Sequence, residues 1–139
     1  MSKSLHGGCL CGAVRFSFDV APVFSANCHC RDCQRATGSA YMPVMALPGA
    51  QVRGDGDVTW FARRADSGLA ADEGFCPRCG ARLFAHAAVL PGILLVQAGN
   101  LDEPAAFTPQ FDMFVDSAQP WDVMDPNLPK FPRMPPVAG

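Results

Sequence analysis

Seven cysteines stand in three short clusters, Cys9-x-Cys11, Cys28-x-Cys30-x-x-Cys33 and Cys76-x-x-Cys79, and no cysteine lies outside them. Thiols grouped in this way point to metal binding. An odd total cannot pair fully within one chain, and C-x-C spacing gives poor disulfide geometry. The seven divide into four and three. Cys9, Cys11, Cys76 and Cys79 supply the four sulfurs of a closed tetrahedral zinc site, the usual structural arrangement. Cys28, Cys30 and Cys33 supply three sulfurs and leave one position for water, a histidine, a carboxylate or a substrate. An open position is what catalytic zinc sites keep. Zinc binds sulfur well and deprotonates a coordinated thiol, so such a site suits a thiol substrate presented as a nucleophile. The competing reading is a second structural site completed by a histidine, for which His6 and His86 remain available. His29 lies between two ligands on an extended segment, so its side chain points to the opposite face and is set aside as a ligand.

These groups must be positioned by short strands. Gly12–Asp19 alternates Val14, Phe16 and Phe18 with Arg15, Ser17 and Asp19, the pattern of a half-buried strand. Val23–Cys30 reads as extended after Pro22. Tyr41–Leu47 is apolar, with Pro43 indicating an edge or a bulge. Val58–Ala62 is β-branched and aromatic. Arg82–Val89 and Ile93–Ala98 flank Leu90-Pro91-Gly92 and predict a hairpin. Phe111–Val115 is the last predicted strand, and Arg63–Gly74 reads as a polar loop. The one helical signal is Arg31–Thr37, ended by Gly38, which puts Cys33 in a first turn where a thiolate is favoured. Cys76-Pro77-Arg78-Cys79 is followed by Gly80 and a strand-like run, the layout of a zinc knuckle rather than of a redox C-x-x-C. Pro109 and six prolines from Pro120 onward argue against a long regular element, so the tail, about 122–139, is expected to wrap the domain in extended form.

A chain of 139 residues predicts a single domain, 1–139, of all-β or β-rich class, made of short antiparallel strands whose hairpins are tied together by metal. Eleven basic and thirteen acidic side chains give a net charge of −2, which offers no footprint for nucleic acid or an anionic membrane. The N-terminal MSKSLHGGCL has no apolar segment of signal-peptide type, and Ala87–Ala98 is too short and too broken to span a bilayer. These features predict a cytoplasmic protein, where clustered cysteines mean metal or redox chemistry rather than disulfides.

GGCLCGAVRF (7–16), CHCRDCQRATGSAY (28–41), FCPRCGARLF (75–84), AGNLDEP (98–104) and the Pro120–Trp121 pair follow one another in an order that resembles one family. This is the glutathione-dependent formaldehyde-activating enzyme family, also called Gfa-like or centromere-protein-V-like. The resemblance runs from Gly7 to about Phe131. It implies an Mss4-like fold with two zinc sites, Cys9, Cys11, Cys76 and Cys79 being structural and Cys28, Cys30 and Cys33 catalytic. It also implies carbon–sulfur lyase chemistry on a thiol adduct such as S-(hydroxymethyl)glutathione. The family's histidine in P-x-x-H-I-F-V is matched here by Asp112. If glutathione binds, its carboxylates need donors, and Arg35 beside the triplet is the first candidate. Gln34 is placed to orient a ligand or to cap the turn. Trp60 and Trp121 read as core residues, and Phe131 with its neighbouring prolines as a lid or as packing. The rival functions are a non-catalytic zinc-binding interaction module and a thiol-sensing or zinc-buffering role.

Overall fold

The structure, a computed structural model, describes residues 4–65 and 67–136. In chain order the strands begin with β1 (Leu5–Gly8), β2 (Arg15–Phe18) and β3 (Phe24–Cys28). The helix α1 (Arg31–Thr37) comes next, followed by β4 (Met42–Pro48), β5 (Arg53–Asp55), β6 (Thr59–Arg64) and β7 (Ala70–Phe75). The last three strands are β8 (Arg82–Ala87), β9 (Ile93–Gln97) and β10 (Phe111–Met113). One sheet has the order β1-β2-β5, and the other has the order β10-β3-β4-β9-β8-β7-β6. α1 is the only α-helix among the described residues, so the fold is β-rich, as the sequence implies.

Strand β4 explains the layout. Its apolar run does not alternate with polar residues because both of its faces are covered. Met45 and Leu47 pack with Phe16, Phe18, Leu83 and Val96, while Met42, Val44 and Ala46 pack with Phe24, Ala26 and Met113. The first group fills the space between the two sheets, where Phe16 meets Phe84 edge to face at 5.4 Å. The second lies on the opposite face of the larger sheet. β9 divides in the same way, with Leu94 and Val96 in the first group and Ile93 and Leu95 at the second. Cys9 and Cys76 belong to the first core, and Cys28 and Cys33 to the second. The two cysteine groups therefore serve opposite faces of one sheet.

Four expectations need correction. β4 is interior rather than an edge, but Pro43 sits where only β3 pairs with it, because β9 begins its pairing at Val44. The missing N–H is tolerated at that end. Arg63–Gly74 is not a loop: β6 and β7 pair from Thr59↔Phe75 to Arg64↔Ala70, and beyond them Ala65 N–H donates to the Leu69 carbonyl at 2.9 Å. The inward positions of β7 include the carboxylate of Glu73, which breaks the apolar alternation and hides the strand. The strands are not all antiparallel, since β10 runs parallel to β3. Trp60 and Trp121 are 42% and 64% exposed rather than buried. Trp60 lies over Gly74, where a Cβ would come within 3.1 Å of its ring, and it stacks on His86 at 4.9 Å.

The proline-rich segment lies alongside β10. Asp112 N–H donates to the Pro129 carbonyl at 2.9 Å, and Phe131 N–H donates back to the Asp112 carbonyl at 2.9 Å. Phe114 N–H donates to the Arg133 carbonyl at 3.3 Å. No helix among the described residues is long and apolar enough to cross a membrane.

Candidate metal centres

The four-cysteine group is built from two tight turns. Gly12 N–H donates to the Cys9 carbonyl and Gly80 N–H to the Cys76 carbonyl, at 3.2 and 2.8 Å. Gly80 has φ +78°, a left-handed backbone that a side chain would strain. These turns aim all four sulfurs at one point, every pair lying within 4.8 Å. Cys9 Sγ to Cys11 Sγ is 3.7 Å and Cys11 Sγ to Cys76 Sγ is 3.8 Å. A tetrahedron with metal–sulfur bonds of about 2.3 Å has edges of about 3.8 Å, so these spacings fit zinc. Backbone N–H groups of Val14 and Arg78 donate to Cys9 and Cys76 sulfurs at 3.2 and 3.4 Å, as they do to thiolates. Burial works to raise the Cys9 thiol, but the Val14 N–H and the neighbouring thiols outweigh it and bring it down to about 6.

The three-cysteine group joins the end of β3 to the start of α1. Cys28 closes β3, Cys30 is the helix N-cap, and Cys33 lies in the first turn, its N–H donating to Cys30 Sγ at 3.3 Å. Their sulfurs all lie within 4.8 Å of one another. Cys30 is the thiol most ready to ionise. S–H donation from Cys28 and Cys33, helped by the Cys33 N–H and the Arg63 charge, brings it down to about 3. Cys28 and Cys33 are pushed up in return. The neighbouring thiols thus favour a thiolate at the helix cap, Cys30, rather than at Cys33. The chemistry of both donor sets, thiolates without carboxylates, suits zinc among the common divalent ions.

A profile of the glutathione-dependent formaldehyde-activating enzyme family matches residues 4–117. The chain belongs to that family. A Rhodobacter sphaeroides protein of known crystal structure is 20% identical to it, with a TM-score of 0.56 over 70% of this chain and 88% of the other. That likeness concerns the fold. No curated protein matches.

This family member anchors its triplet through the two side chains between and beyond the ligands. His29 does point away from the sulfurs. It is fully buried, with Nε2 2.9 Å from Asp112 Oδ1 and Nδ1 2.8 Å from Asp122 Oδ2. Asp112 also receives Asn27 at 3.3 Å and faces Lys130 at 2.9 Å. Burial acts to raise the Asp112 carboxyl, and bonds from His29, Lys130 and Asn27 outweigh it and hold it below the usual range. The residue at the family's histidine position is thus a buried support of the ligand segment. Gln34 is a second tie: its Nε2 donates to the carbonyls of His29 and Ser117 at 2.8 and 2.9 Å. Neither His6 nor His86 joins a cysteine group.

The triplet faces a cavity of about 290 Å³. Its wall is mainly apolar, including Met42, Val44, Leu95, Met113 and Phe114. The tail adds Arg133 and Met134. Phe114 holds a left-handed backbone at φ 58°, which a bulky residue adopts at a cost of roughly 1–2 kcal/mol. Arg35 is exposed on α1 and is not part of the wall. The charged residues in and beside the wall, of which Glu73 is the buried one, are ones that the sequence pattern did not single out. Arg63 lies 3.0 Å from Asp32 and 3.7 Å from Glu73, and Arg82 lies 3.9 Å from Glu73. Glu73 is 3% exposed, and its Oε2 has no hydrogen-bond partner among the described residues. Burial pushes its carboxyl up, against the pull of Arg63 and Arg82. An inward acid in ADEGF was the available signal.

Proposed function

We propose that this protein is a zinc-dependent carbon–sulfur lyase of the Gfa-like family that makes or breaks a thiol–carbonyl adduct. The observation that carries the reading is the contrast between the two cysteine groups: four sulfurs form a closed cluster, while three face the cavity. In this reading Cys9, Cys11, Cys76 and Cys79 hold a structural zinc. Cys28, Cys30 and Cys33 would hold a second zinc on the cavity side, next to the substrate thiol. Bound there, zinc supplies Lewis acidity that keeps a substrate thiol ionised at neutral pH.

The chain's own residues do the rest. In the joining direction the sulfur pair forms the C–S bond, the carbonyl π pair moves to oxygen, and that oxygen takes a proton. Cleavage runs the same steps backward. Glu73, buried in the wall and raised by its burial, is the group proposed to exchange that proton. His29 and Gln34 keep the ligand segment in place. The adduct that the family's description suggests is S-(hydroxymethyl)glutathione. Arg35 keeps a part in this reading only for a substrate long enough to leave the cavity. The reading takes 1–139 as one domain in which the tail completes the cavity wall. It places the protein in the cytoplasm, supported by seven cysteines that form no disulfide.

Metal analysis and zinc-edge spectroscopy test the assignment. About two zincs per chain are expected, one with four sulfurs and one with three that gains a fourth when thiol is added. One zinc per chain, with Cys28, Cys30 and Cys33 open to alkylation, would overturn it.

A further inference from the structure

We infer that the substrate enclosed by the cavity is an apolar thiol adduct, carrying an alkyl or aryl group, rather than a glutathione adduct. The inference rests on the thiol-adduct reading above and specifies what surrounds the sulfur. Beyond the cysteines, the wall includes Met42, Val44 and Met113 of the second core, Leu95 packed against it, and Ala85. Three of these, Met42, Val44 and Met113, are no more than 4% exposed. Nothing in that part of the wall donates or accepts a hydrogen bond through its side chain.

The charged groups in the wall do not suit a peptide with two carboxylates. Arg63 is paired with Asp32 at 3.0 Å and with Glu73 at 3.7 Å, which leaves its buried Nε as the one donor without a partner on that side chain. Asp32 and Glu73 repel a carboxylate, and Arg133, the other arginine of the wall, is exposed. Arg35 lies outside the wall altogether. An ionised group set against the methyl and thioether surface would lose its hydration without a partner. The cavity, about 290 Å³, lies near the lower end of the range for ligand pockets. A chain of methylenes leading from the sulfur fills the same space favourably.

Calorimetric titration of the zinc-loaded protein tests this with straight-chain alkanethiols from ethanethiol to octanethiol, the matching alcohols, and glutathione. Affinity should rise about fourfold per methylene and level off once the cavity is full. Glutathione should bind more weakly than hexanethiol. Ala87→Phe should end the rise at a shorter chain. If circular dichroism shows that variant unfolded, Ala71→Leu takes its place. A series flat with chain length, or glutathione equalling hexanethiol, overturns the apolar assignment even where thiols are preferred to alcohols, and leaves the thiol reading intact. A rising series in which alcohols match thiols supports the apolar cavity and removes the thiol reading instead.

Discussion

Asp112 stands at a position where the sequence departs from its family, and it is among the most buried charged residues in the chain, at 1% exposure. Its partners come from two segments, Asn27 and His29 at the end of β3 and Lys130 in the tail. Removing one member of such a cluster leaves the others buried and unpaired, so Asp112→Asn should cost about 3 kcal/mol in denaturant unfolding. The pH dependence has a definite sign. The folded carboxyl lies below its ordinary value, so its contribution is present above the unfolded value of about 3.9 and is lost as pH falls through the lower, folded one. The gap between wild type and Asp112→Asn should therefore close on acidification, and a gap independent of pH would contradict the ion-pair account. Glu73 behaves in the opposite sense. Its carboxyl is raised, so its ionisation costs stability as pH rises through the folded value. Glu73→Gln keeps the shape and removes the proton, and should lower lyase turnover about 10²-fold with the fold retained. An unchanged pH–rate profile would exclude Glu73 from proton exchange. The sequence showed the two cysteine groups because thiols at short spacing are conspicuous in it. It did not show Arg63 with Glu73 or His29 with Asp112, because those pairs depend on which strands become neighbours.

Among the elements, those with local signals were legible. The helix Arg31–Thr37 with its Gly38 cap, and the hairpin of β8 and β9, stand as their capping and turn residues imply. The short strands β1 and β5 were missed, having too few residues for a period, and β7 was concealed by its inward acid. The knuckles matter most at this scale. One precedes β2 and the other joins β7 to β8, so a metal between them fixes the smaller sheet to the larger across a loop of 65 residues. Constraining a loop of that length removes much unfolded-state freedom. Cys76→Ser should thus abolish cooperative folding. Cys30→Ser disturbs a helix cap on the far face and should leave a folded protein with one zinc. Thermal unfolding with metal counting checks the pair, and equal loss of fold in both would end the division into structural and substrate sites.

On the scale of the whole molecule, the larger sheet separates two cores, and each core holds one cysteine group. Their metals should consequently leave independently. The group facing the cavity has three protein ligands, and its ligand segment is held by His29 and Gln34 whether or not a metal is bound. The turns of the four-cysteine group carry their own backbone bonds, but Cys9 and Cys76 are part of the core between the sheets, so a metal there would join the two sheets. Metal binding there is coupled to folding. A chelator titration followed by near-ultraviolet dichroism should therefore run in two stages. The first zinc should leave with the aromatic signal of Phe16, Phe18 and Phe84 intact, because those rings lie on the other face of the sheet. The second should leave together with that signal. Loss of the aromatic signal with the first zinc would mean that the sheet does not insulate one core from the other, and that the cavity site cannot open and close its metal coordination without disturbing the fold.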